Sequence, residues 1–100
     1  MRCRNCMPVP EEVRRTAGLL ERRWTVSIIW ASSEGAVRFN EFRQALGTIP
    51  PATLTVRLGE LERDGILERV VVDGHPPRAE YRLTDRGRAL RELVAALSAI

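Results

Sequence analysis

The sequence predicts a mainly helical α+β fold in one small domain, and three observations carry that prediction. Apolar residues recur at helical spacing along most of the chain, most plainly at Leu54, Leu58 and Leu61. One stretch breaks that rhythm: Leu67 to Val72 is rich in β-branched residues, and beyond the loop Asp73 to Pro77, Ala79, Tyr81 and Leu83 alternate with Glu80 and Arg82. Finally, 100 residues at 44% hydrophobic and 29% charged supply one modest core and no second one.

Residues 1–10, MRCRNCMPVP, carry two arginines and two prolines without periodicity and are expected to form a flexible arm, with the folded domain over 11–100. From Pro10, Val13, Ala17, Leu20 and Trp24 recur at steps of four, three and four, the face of an amphipathic helix with Glu11 and Glu12 in its first turn, where the helix dipole favours acids. Trp24 to Trp30 is apolar on most sides, which predicts a largely buried helix ending near Ser32 to Gly35. Ala36 to Arg38 is long enough only for a strand fragment. Asn40 offers an N-cap to a short helix, Glu41 to Leu46, closed by Gly47. Pro50 and Pro51 suit the start of the next helix, Ala52 to Asp64, and Gly65 its end.

A short helix, a turn and a longer helix form a helix-turn-helix layout. The hairpin over 67–83 follows, then Thr84 and Asp85 start a last helix whose stripe Leu90, Leu93, Val94, Leu97 and Ile100 runs to the final residue. A helix-turn-helix followed by a hairpin is a winged helix-turn-helix with a two-stranded wing. The terminal stripe runs on to the last residue of the given sequence, so the helix is expected either to end against a partner, most simply a second copy, or to have been cut.

Composition removes other classes. All 16 basic residues are arginine, against 13 acids, so lysine chemistry and a Walker-type phosphate loop are excluded. One histidine and two cysteines do not make a four-ligand zinc site; no metal or cofactor is expected. No carboxylate pair or nucleophile with a base stands at a usable spacing, which argues against an enzyme. No apolar run approaches the roughly 20 residues that cross a bilayer, and the start lacks a signal-peptide core, so a cytoplasmic protein without membrane contact is expected.

On the helix over 52–64, an inward Leu54 stripe turns Ala52, Thr53, Val56, Glu60 and Arg63 outward, with Thr55 and Arg57 on the flanks. DNA-reading helices use their N-terminal part, so Ala52, Thr53, Thr55, Val56 and Arg57 are the candidate readers. Arg57 suits guanine O6 and N7 or a phosphate, with an ion pair to Glu60 or Glu41 as the alternative; threonine methyls and Val56 suit a thymine methyl. Four arginines stand against five acids between 24 and 67, so affinity has to come from phosphate contacts outside the reading helix. Arg38 and Arg43 beside the turn, Arg78 at the wing, and Arg2 and Arg4 in the arm are the candidates. Glu80 and Arg82 are expected to form a solvated cross-strand pair. The rival reading is a winged helix used as a protein-interaction module.

Four ordered stretches resemble the HxlR family of bacterial winged-helix regulators, relatives of the MarR type. They are Arg23-Trp24, Val37 to Phe42, Ile49 through Leu54 to Ile66, and Pro76 to Gly87, within about residues 13–98. The resemblance implies a homodimeric transcription regulator, most simply a repressor, held by its first and last helices. Each protomer would place a recognition helix in the major groove of double-stranded DNA, with the wing along the backbone. Many members carry a serine and a lysine where Pro50 and Ala52 stand here. Members also sense oxidants or electrophiles through a cysteine before the first helix, which makes Cys3 and Cys6 redox candidates, although counting back from Trp24 the family's position falls near Glu11. An oxidant or small-molecule effector is the implied partner besides DNA.

Overall fold

The computed structural model describes residues 7–100. Helices α1 (Glu11–Leu20), α2 (Thr25–Ser33), α3 (Phe39–Leu46) and α4 (Pro51–Arg63) precede strands β1 (Leu67–Val72) and β2 (Arg78–Leu83), and α5 (Asp85–Ala95) follows, continued by a 3₁₀ turn over Ala96–Ala99. The strands pair antiparallel from Leu67 opposite Leu83 to Val72 opposite Arg78. This is the expected winged helix-turn-helix. No helix among the described residues is long and apolar enough to cross a membrane.

One core joins the elements. Ile28 and Ile29 of α2, Phe42 of α3, Leu54, Leu58 and Leu61 of α4, and Ile66 are fully buried. Burying each such side chain stabilises the fold by about 1.5–3 kcal/mol, enough to fix the face that α4 turns inward. Gly47 (φ 68°) and Gly65 (φ 74°) end α3 and begin the turn after α4 in left-handed conformations that a side chain disfavours. Ile49, buried between them, anchors the turn of the helix-turn-helix.

Four local expectations are corrected. The helix after residue 36 starts at Phe39, with Arg38 rather than Asn40 at its N-cap, and Asn40 lies exposed within it. Glu41 makes the cap: its Oε1 accepts the Val37 and Arg38 backbone N–H groups, both at 2.9 Å, so orphan donors are satisfied from inside the helix. Ala36 to Arg38 forms no strand; Val37 only accepts the Tyr81 N–H at 2.7 Å, which ties it to the edge of β2. Glu80 and Arg82 pair along one strand, Oε1 to a terminal guanidinium nitrogen at 2.7 Å, because residues two apart share a strand face. On α1, Val13 is exposed and Leu19 is the buried residue, and Trp24 lies beyond the helix.

The backbone N–H bonds from Val37 and then Arg38 hold the Glu41 carboxyl below the usual carboxylate range. A depressed pKa in the fold means a stabilising contribution that is complete above the unfolded value and is lost as pH falls through the folded one. Denaturant titrations of wild type and Glu41→Ala are therefore expected to differ at neutral pH and to converge in acid. A gap that stays constant down to acid pH rules out the cap.

Candidate nucleic-acid interface

The turn, α4 and the wing set out the candidate surface. Pro50 is extended and Pro51 takes the first helical position, so α4 begins without wasting a donor. The inward Leu54, Leu58 and Leu61 leave Ala52, Thr55 and Val56 facing solvent, and Val56 is 52% exposed. Thr53 is half-buried, and the Thr55 hydroxyl donates to the Pro51 carbonyl at 3.1 Å. That back-bond fixes the Thr55 rotamer and leaves its methyl free for an apolar contact.

The flanking arginines fall into separate places. Arg38 and Arg78 line one open cavity of about 460 Å³ between the head of α3 and the wing, together with Asn40, Ala79 and Tyr81. Arg38 lies 3.9 Å from Glu80, a loose pair between a half-exposed guanidinium and a largely covered carboxylate. Arg78 and Arg43 are exposed, Arg43 beside Asn40, Gln44 and Gly47. Thus the fold brings Arg38 and Arg78 together and places Arg43 on the adjoining side of the turn.

Arg57 turns back toward the protein. Its Nε donates to the Arg23 carbonyl at 2.9 Å, and one terminal nitrogen lies 3.2 Å from Glu60. Glu60 also takes Arg22 at 3.2 Å, so α4 is latched to the segment between α1 and α2. Of the two alternatives weighed for Arg57, the ion pair with Glu60 is present. Trp24, in that segment, has φ 81° and ψ −17°, a left-handed conformation that costs a bulky residue about 1–3 kcal/mol. It turns the chain so that the preceding carbonyl meets Arg57. Sequence reasoning held the Arg57–Glu60 pair as an alternative but missed the contacts to the Arg23 carbonyl and Arg22, for which the Arg22-Arg23-Trp24 run is the visible trace.

Cys3 and Cys6, with Arg2 and Arg4, lie outside the described residues.

A model of the HxlR-like helix-turn-helix family matches residues 19–100, which include every element from α2 to α5. The chain belongs to that family. Among curated relatives, the HTH-type transcriptional regulator YvaP of Bacillus subtilis is 36% identical over 84 residues, 84% of this chain and 78% of YvaP. YdeP of the same organism, also an HTH-type transcriptional regulator, is 38% identical over 82 residues; the match spans 82% of this chain but only 64% of YdeP. Among solved structures, the redox regulator HypR in its reduced form superposes with a TM-score of 0.80 at 36% identity, covering 89% of this chain and 88% of HypR. The winged-helix fold and the family are therefore those the sequence motifs implied.

Proposed function

We propose that the chain is a homodimeric, sequence-specific DNA-binding regulator of transcription, a repressor acting in the cytoplasm. The observation that carries this reading is the head of α4: Ala52, Thr55 and Val56 stand outward on a helix whose opposite face is locked into the core. On the outward first turns of this helix the Val56 side chain and the Thr55 methyl offer apolar contacts that fit a thymine methyl. Thr53 flanks this reading face, and Arg38, Arg43 and Arg78 supply phosphate contacts on either side of it. Arg57 serves chiefly as the latch that sets the angle of α4.

The dimer rests on two uncovered apolar surfaces. Val9, just ahead of α1, and Val13 within it are half-exposed, as are Leu93 of α5 and Leu97 of the following turn. An apolar cavity of about 460 Å³, walled by Trp24, Trp30, Leu46, Val94 and Leu97, opens beside the second surface. A twofold axis would lay α1 of one protomer over this surface of the other and bury both at once. Each recognition helix then reads one half of a pseudo-palindrome, with half-sites about one helical turn, roughly 34–36 Å, apart.

Immobilised protein challenged with genomic fragments at moderate salt, followed by sequencing, tests the reading. Enrichment of a discrete set of fragments is expected; uniform or absent capture favours a protein-interaction module instead. On an enriched fragment, Arg78→Ala is expected to weaken binding and to lower the salt slope by about one per protomer. Oxidant control through Cys3 and Cys6 draws support from the likeness to the redox regulator HypR. Diamide is expected to change the affinity of wild type and to leave Cys3→Ser/Cys6→Ser unaffected; equal responses exclude these thiols.

A further inference from the structure

The latch between α4 and the α1–α2 junction contains three arginines and one carboxylate. Glu60 is shared by Arg22 and Arg57, each at 3.2 Å. Arg23 has no carboxylate within ion-pair distance among the described residues. Its guanidinium instead lies over the Trp24 ring, 5.0 Å from the centroid. Cation–π stacking restricts an otherwise loose side chain without neutralising it. Arg23 and Trp24 wall a polar cavity of about 380 Å³ whose other lining residues are Thr48, Pro50, Thr53 and Arg57. An ordered, unpaired cation therefore stands beside two hydroxyl-bearing side chains, immediately adjoining the face that carries Ala52, Thr55 and Val56.

We propose that Arg23 is a DNA phosphate contact, made from the α1–α2 junction to the strand that passes the head of the recognition helix. The proposal rests on the DNA-binding reading above and adds to it a residue outside the helix-turn-helix and the wing. Three features favour a phosphodiester over other partners. The surplus charge is positive, the surface is continuous with the proposed reading face, and a planar guanidinium matches phosphate oxygens bidentately. The placement also accounts for Trp24: its left-handed backbone directs the Arg23 carbonyl to Arg57, while its ring holds the Arg23 head group. One residue thus fixes both the angle of α4 and the phosphate contact beside it.

Fluorescence anisotropy over a range of salt concentrations, with an enriched duplex and a scrambled one, tests this in wild type, Arg23→Gln and Arg23→Lys. Arg23→Gln keeps a long polar side chain and removes the charge. It is expected to weaken both duplexes by the same factor, about tenfold, and to lower the salt slope by about 0.9 for each protomer bound. Arg23→Lys is expected to keep the wild-type slope. A wild-type slope in Arg23→Gln overturns the proposal, as does a loss confined to the enriched duplex, which would make the effect one of base reading. Wild type that binds neither duplex overturns the DNA-binding reading itself, and this contact with it.

Discussion

Leu97→Glu is expected to convert the protein to a monomer of 11.3 kDa and to lower affinity for an enriched DNA fragment by roughly 100-fold. Leu97 is 52% exposed in the isolated chain, beside Leu93 at 57%, so a carboxylate there meets water in the monomer and costs its fold little. In the proposed dimer the same carboxylate is carried into an apolar interface with no partner, a penalty of several kcal/mol that is incurred twice by symmetry. The affinity loss follows because two linked half-site contacts act at an effective concentration that separate protomers do not reach. Sedimentation at micromolar concentration, paired with a mobility shift, reads both quantities. A Leu97→Glu protein that still sediments as the dimer removes this face from the interface. Wild type that is already a monomer and still binds tightly removes the dimer.

Gly87→Ala carries the largest expected loss of stability. Gly87 is buried in the first turn of α5, where its N–H donates to the Thr84 hydroxyl at 3.1 Å. A Cβ at this position would collide with the Ile66 carbonyl oxygen and lie 2.8 Å from Leu83 Cδ2. The backbone carbonyl has little room to yield. Ile66 is fully buried and its carbonyl accepts the Thr84 N–H at 3.1 Å, while Leu83 is held opposite Leu67 in the wing. Helix propensity favours the alanine by about 1 kcal/mol, but overpacking against backbone, about 3 kcal/mol at the upper end of its usual range, outweighs it, for a net loss of about 2 kcal/mol. In a domain of this size that lowers the melting temperature by about 15 °C at fixed protein concentration. A melting temperature equal to wild type or above it shows that the helix–wing junction relaxes at little cost.

These two sites mark what was legible in the sequence and what was not. The order of helices and the hairpin followed from side-chain period: Leu54, Leu58 and Leu61 allowed one inward face, and the alternation of Ala79, Tyr81 and Leu83 allowed one strand register. Gly47 and Gly65 marked helix ends because few other residues tolerate their conformations. The head of α3 differs from the expectation because its cap is a glutamate reaching back three and four residues from inside the helix, a local choice among several polar residues that spacing alone leaves open. Arg57 was ambiguous for a geometric reason. On the flank of a helix a long side chain reaches either solvent or a neighbour, and the neighbour here is a carbonyl 34 residues away in sequence. Trp24 contributes to the apolar pattern, but its positive φ has no local signature in the sequence.

The resemblance to a regulator family and the apolar period agree on where α4 lies, and the latch to Arg23 explains how its angle is held. The proposed reading face is short, comprising Ala52, Thr53, Thr55 and Val56, so specificity per protomer is expected to be modest and a paired site to be required for useful discrimination. Hydroxyl-radical footprinting on an enriched genomic fragment addresses this point at single-nucleotide resolution. Two protected patches on one face of the duplex are expected, centred about one helical turn, roughly 34–36 Å, apart, with the flanking DNA still cleaved. A single protected patch, or cleavage suppressed evenly along the whole fragment, contradicts a dimeric sequence-specific regulator.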